Sequence, residues 1–307
     1  MIEFYPNKWA MEQSALDSLV PRMMAVRDTS AKSLEKFREK RLAAGQAKLR
    51  KVGQGRIAAL PVYGAVEHRA SFMSMFFGGC SCEEIGMAID YYSQDKNTDA
   101  IILDIDSPGG SSYGVQELSD KIYAARASKP IYAVANAMAC SAAYWIGSAA
   151  SHFSCTPSGD VGSIGVFAVH TDMSKAAENA GVKTTIIKAG KYKAEGNPMQ
   201  PLSEETQAYI QSMVDATYTD FVKAVAKNRN CSVSDVREKF GQGRIVMADD
   251  AAKCGMVDRV ATLEDVVSTI KGSVSKSDKA MVSTEVLRMR HERQKQISEK
   301  IYKHYLT

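Results

Sequence analysis

Three short stretches of the chain combine residue types that can do chemistry. The first is Asp106-Ser107-Pro108-Gly109-Gly110, directly after an apolar run. Pro108 sets one φ angle, and Gly109 and Gly110 carry no Cβ, so backbone N–H groups can face outward. Donors of that kind suit an oxyanion hole, which must meet developing negative charge. The plainer reading is a tight strand-to-helix turn. The second stretch is Asn136-Ala-Met-Ala-Cys-Ser-Ala-Ala143, where small residues crowd Ser141 between a strand and a helix. A hydroxyl at a helix N-terminus sits where the local field favours an oxyanion and where the next N–H can help bind it. An N-cap serine is the plainer reading. Cys140 is a rival nucleophile at the same turn, without an adjacent histidine. The third stretch is Lys188-Ala-Gly-Lys-Tyr-Lys193, followed by Ala-Glu-Gly-Asn-Pro198. Three lysines at the end of a strand ordinarily form a solvated loop. Lysine becomes a base only where burial or neighbouring positive charge promotes loss of its proton.

These stretches must be positioned by regular elements. The pattern predicts strands over 56–66, 99–106, 130–136 and 182–190, and helices over 83–94, 115–127, 141–150 and 205–228. The 99–106 strand is apolar almost throughout, as expected in a sheet covered on both faces. Alternating strands and helices argue for α/β layers around a largely parallel sheet. Active sites in such sheets gather where strands end and helices begin, and all three stretches lie there.

Composition narrows the function classes. The 307 residues are 45% hydrophobic and 24% charged, with a formal net charge of +4, which makes no case for a nucleic-acid-tracking surface. Of the six cysteines only Cys80 and Cys82 are close, and no second pair or nearby His completes a zinc set. Reduced thiols, several of them in the core, fit a reducing cytoplasm. The start, MIEFYPNKWAMEQ, has no apolar run behind a basic end, so no signal peptide is expected. Residues 131–159 carry no charge, but their serines and flanking prolines divide them into strand, turn and short helix rather than a membrane span.

The order and spacing of the motifs resemble the S49 peptidases of the signal-peptide-peptidase A type. The resemblance rests on Ser-Pro-Gly-Gly110, the small-residue turn at Ser141, Gly162-Ser163-Ile-Gly-Val166, Gly190-Lys-Tyr-Lys193 and the closing segment 243–258, and it covers about residues 56–262. Asp106-Ser-Pro, the ANAMACSA turn and the Lys193-Ala-Glu-Gly-Asn-Pro198 run look nearest to the phage branch, the capsid assembly (head maturation) proteases. The resemblance implies a Clp-protease/crotonase-like α/β fold, a twisted parallel-sheet spiral, with a homo-oligomeric assembly. It implies a serine endopeptidase in which Ser141 is the nucleophile, Lys193 the general base, Ser163 the residue that orients the lysine, and the N–H groups of Gly109, Gly110 and Ala142 the oxyanion donors. It implies no metal or organic cofactor and no membrane span. The phage branch points to capsid, portal or scaffold proteins as substrates, in the host cytoplasm or the procapsid. Other readings stand beside it: a signal-peptide-peptidase-like enzyme degrading peptides, a crotonase-like acyl-CoA enzyme, and a non-enzymatic capsid or scaffold component. His170, 29 residues after Ser141, keeps a Ser-His-Asp triad open, with a structural role after a strand as its plainer reading.

The peptidase domain is expected over 53–272. Residues 1–52, with 11 Lys plus Arg against 6 Asp plus Glu, read as a basic helical extension. Residues 273–307 read as a charged helical tail with Ile297, Ile301 and Tyr305 at four-residue spacing. Both ends are expected to serve assembly or partners rather than catalysis.

Overall fold

The computed structural model describes residues 57–70 and 78–274, together with the backbone of two short strands upstream, β1 (Trp9–Met11) and β2 (Arg50–Val52). The expected C-terminal tail and most of the N-terminal extension lie outside the described residues. Where the extension is described it is strand, not helix. The two strands complete open sheet edges, whose unpaired N–H and C=O groups take up any extended segment that reaches them.

The central sheet is built from β3 (Ile57–Tyr63), β6 (Ala100–Ser107), β8 (Ile131–Cys140), β9 (His152–Cys155) and β10 (Asp160–Gly162). β3, β6 and β8 run parallel, and β8 pairs in parallel with both β9 and β10. β2 and β11 (Ile245–Met247) close the two edges in antiparallel fashion, and β12 (Arg259–Val260) pairs with β9. A smaller sheet stands beside it in the order β1, β7 (Gly109–Ser111), β4 (Ala65–Glu67), β5 (Gly79–Ser81).

The apolar run of β6 explains the layering. Ile101, Leu103 and Ile105 point to one face and join the main core. That core includes residues of α1 (Cys82–Gln94), α2 (Val115–Ala125), α3 (Ala142–Ser148) and the C-terminal end of α5 (Glu204–Arg229). Ile102 points to the other face and packs with Val266, Val267 and Ile270 of α8 (Leu263–Val274). Both faces of the strand are therefore dry, as its sequence predicts. Shorter helices α4 (Ser174–Asn179), α6 (Val233–Lys239) and α7 (Ala248–Cys254) complete the described chain. No helix among the described residues is long and apolar enough to cross a membrane. Residues 131–159 instead form β8, α3 and β9.

One expected strand is missing. Residues 182–190, β-branched and strand-like in sequence, form no strand, and Ile187 is 95% exposed. Strand propensity reflects fit to a half-buried pleated surface, and no described strand edge receives this segment.

Candidate active site

Ser141 stands at the end of β8, and its backbone is unusual. β6 and β8 lose register between Ile105↔Ala135 and Ser107↔Ala139, a bulge in β8 marked by Ala137 at φ 126°. Ser141 itself has φ 55° and ψ −119°, a combination sparsely populated by non-glycine residues and worth of order 1–3 kcal/mol of strain. The surroundings hold it there. Its N–H donates to the Gly162 carbonyl at 2.7 Å, and its own carbonyl accepts from Trp145 N–H at 2.9 Å. Ser141 occupies the N-cap position of α3, yet its side chain makes no capping bond. Its Oγ is buried and has no hydrogen-bond partner. A serine kept for capping would bond an N–H of the first turn, so this hydroxyl is not there to cap.

Helix α3 is fixed from behind. Trp145 stacks on Phe221 with ring centroids 4.6 Å apart. Tyr144 Oη donates to the Met256 carbonyl at 3.0 Å. Asn228 of α5 donates to Ser119 Oγ and Ser148 Oγ, each at 3.0 Å. Arg126 caps the far end by donating to the Ala149 and Ala150 carbonyls. Gly147 lets the helix approach the sheet, since a Cβ there would lie 2.8 Å from Phe153 Cζ and 2.9 Å from Ile105 Cδ1.

The glycine turn lies alongside. Ser107 pairs with Ala139, two residues before Ser141, so the turn that follows Ser107 is brought to the same end of the sheet. Ser107 Oγ donates to the Gly64 carbonyl at 2.6 Å and accepts from Gly109 N–H at 3.2 Å. Gly109 has φ 97°, a conformation only glycine adopts freely. A Cβ on Gly110 would fall 2.0 Å from the Val66 carbonyl oxygen, so no other residue fits beneath β4. The Gly109 N–H is engaged by Ser107 Oγ, while Ala142 opens helix α3 directly after Ser141.

Ser163 is brought close as well. It follows Gly162, which pairs with Cys140 and accepts the Ser141 N–H, and it has φ 52° with its own N–H on the Arg244 carbonyl at 2.9 Å. Lys193 is not brought there. It lies in an exposed turn whose backbone closes Lys193 N–H onto the Gly190 carbonyl at 3.2 Å, and Ser141 Oγ has no partner at all. From Gly165 to Asp220, Thr206 is the one buried residue. His170 is no substitute, because its Nε2 meets the Asn197 carbonyl at 3.2 Å. Cys140 is fully buried, with Sγ 3.8 Å from Asp160 Oδ1.

The motif reading missed a polar bridge across the central strands. Asp104 of β6, 8% exposed, accepts hydrogen bonds from Tyr63 Oη of β3 and from Asn136 Nδ2 of β8, the latter at 2.9 Å. Asn136 is the last residue before the bulge at Ala137. The available signal was the Asp104 carboxylate set between Leu103 and Ile105 in the apolar stretch of the strand, which must be paired if buried.

Comparison with known proteins places this arrangement. The peptidase family S49 model matches residues 123–276, half of the chain, and spans Ser141, Ser163 and Lys193. The chain is 31% identical to capsid assembly protease C of Escherichia phage lambda over 71% of its length and 49% of that protein. It is 32% identical to head–tail preconnector protein GP5 of Enterobacteria phage P21, over 70% of its length and 42% of that protein. A putative signal peptide peptidase SppA of Enterococcus faecium is 31% identical over 62% of this chain and 55% of that one. The chain thus spans about half the length of these curated relatives. Among solved structures, a ClpP1 variant from Listeria monocytogenes overlaps 67% of this chain and 92% of its own with a TM-score of 0.41 at 13% identity. A membrane-bound stomatin-specific protease overlaps 69% and 83% with a TM-score of 0.45 at 14% identity. The family match covers the strained serine, the strand that carries it and the helix behind it, and on that match the chain belongs to peptidase family S49.

Proposed function

We propose that this chain is a serine endopeptidase that works with a Ser141–Lys193 dyad. The observation that carries the reading is the Ser141 hydroxyl: buried, unpartnered, held in a strained backbone at a strand–helix junction, and beside a turn only glycine can form. The neutral amine of Lys193 takes the proton from Ser141 Oγ as that oxygen attacks a peptide carbonyl carbon. The N–H groups of Gly110 and Ala142 receive the resulting oxyanion. Lys193 then gives the proton to the departing amine, and water cleaves the acyl-enzyme.

The reading requires Lys193 to reach the serine. Either the exposed 167–203 segment closes over the strand ends, or the lysine comes from another copy in a homo-oligomer. Val169, Val182, Ile187 and Tyr192 are all at least half exposed along that segment, apolar surface suited to such packing. The names of the two phage relatives, a capsid assembly protease and a head–tail preconnector protein, support a reading in which the substrates are proteins of capsid assembly. The match to the signal peptide peptidase favours general peptide degradation as the second reading.

The test is hydrolysis of an unstructured peptide by three variants. Ser141→Ala and Lys193→Ala each lose turnover by about a thousandfold or more, since members of one catalytic unit are not additive, while His170→Ala keeps it. Turnover retained by Lys193→Ala and lost by His170→Ala overturns the dyad.

A further inference from the structure

The smaller sheet holds a strand whose position has a consequence for substrate entry. β7 carries Gly109 and Gly110. Its inner edge pairs with β4 through Val66↔Gly110, in parallel. Its outer edge is taken by β1, antiparallel, with Trp9 opposite Ser111, Ala10 opposite Gly110 and Met11 opposite Gly109. β1 comes from far upstream in the sequence and, among the described residues, makes no other strand pairing.

A peptide to be cleaved at Ser141 must lie extended, with its carbonyl beside the Gly110 N–H. Extended peptides are bound most directly by adding a strand to a sheet edge, where main-chain hydrogen bonds supply affinity. The outer edge of β7 is such an edge, and it borders the glycine turn. Because Gly109 and Gly110 have no side chains, a strand can approach there without steric hindrance.

We propose that Trp9–Met11 is an intramolecular occupant of the substrate-strand edge, so that the N-terminal segment competes with incoming peptide. The proposal rests on the assignment of the Gly110 turn and Ser141 to the reaction. It commits to this segment of the same chain as the occupant, in the antiparallel direction the register defines. An edge free only part of the time raises the apparent KM by the inverse of the free fraction. An arm that fills it about nine-tenths of the time raises KM about tenfold without changing kcat.

The experiment uses the full chain with Ala10→Pro and Met11→Pro together, since proline has no N–H to give the ladder. The expected result is a several-fold lower KM for a short unstructured peptide at unchanged kcat. A synthetic peptide of residues 6–15 should then compete with that substrate, whether it is cleaved or only binds, and the same peptide carrying the two prolines should not. Binding of the labelled 6–15 peptide to the double-proline chain that also carries Ser141→Ala reads occupancy without catalysis. An unchanged or raised KM together with no binding of the peptide overturns the proposal and leaves β1 a plain edge-completing strand. Peptide binding combined with activity that survives Ser141→Ala sinks the serine assignment instead, so the two failures are distinguishable.

Discussion

Two regions of this chain contribute to one proposed site, and they are built in opposite ways. The serine region is dry, close-packed and over-determined. Ser141 is 1% exposed, its backbone is tied to β10 and α3, and the helix behind it is locked by stacked rings and a buried amide. The lysine region, 167–203, has no buried residue and one short helix, and its turns bond mainly to themselves. Nucleophile strain must be supported by surroundings that do not yield, whereas a base that arrives late needs a segment with little to lose by moving. On the proposed dyad, the fold prepares the serine half of the site and leaves the lysine half to closure or assembly.

Changing the same residue type in both regions breaks this comparison most sharply. Ile105 is fully buried beneath Gly147 of α3, and Ile187 is 95% exposed. Ile105→Ala is expected to destabilise by about 2–5 kcal/mol through lost burial and a cavity, and Ile187→Ala by no more than about 0.5 kcal/mol. Urea unfolding of the two variants measures both. Equal losses would mean that the 167–203 segment is as well packed as the serine region.

A smaller effect is expected at the bridge below the bulge. Asp104→Ala leaves Tyr63 Oη and Asn136 Nδ2 without their shared acceptor, at a cost of about 1–3 kcal/mol. Asp104→Asn, which can still accept from one of them, should recover part of that. If Asp104→Ala unfolds at the wild-type denaturant midpoint, the bridge contributes nothing to holding β8.

The smallest effect concerns the pin between α5 and β9. Asp258 is half-buried. Burial raises its pKa, but hydrogen bonds from Arg229 and the Phe153 N–H, with the Arg229 charge, outweigh this and hold the carboxyl below its ordinary value. A carboxyl depressed in the folded state stabilises the fold above its unfolded pKa, near 3.9, and this contribution fades as pH falls through the lower folded value. Arg229→Met is therefore expected to cost about 1–2 kcal/mol at pH 7, a modest figure because the Asp258 side chain is 41% exposed. The gap between variant and wild type should close below about pH 4. A gap constant with pH would show that Arg229 acts by packing alone.

Much of this was legible in the residues themselves. The apolar run of Ala100–Ile105, interrupted by Asp104, announced a strand dry on both faces, and burial on both sides followed from simple alternation. Glycines at 109 and 110 marked a turn with no room for a Cβ, because backbone crowding leaves a residue-type signature. The ordered motifs around Ser141, Ser163 and Lys193 named the candidate site through their resemblance to a known family. Other features depend on partners distant in sequence. Whether Val182–Gly190 becomes a strand depends on an available edge, and local propensity does not report one. That Trp9–Met11 and Arg50–Val52 are strands follows from the open edges of β7 and β3, not from their own composition. The sequence alone determined which residues could react and the strand–helix junction that carries Ser141. The tertiary structure decided that Ser141 is strained and unpartnered, that Asp104 braces its strand and that Lys193 stands apart, because burial, register and approach between distant segments exist only once the chain is folded.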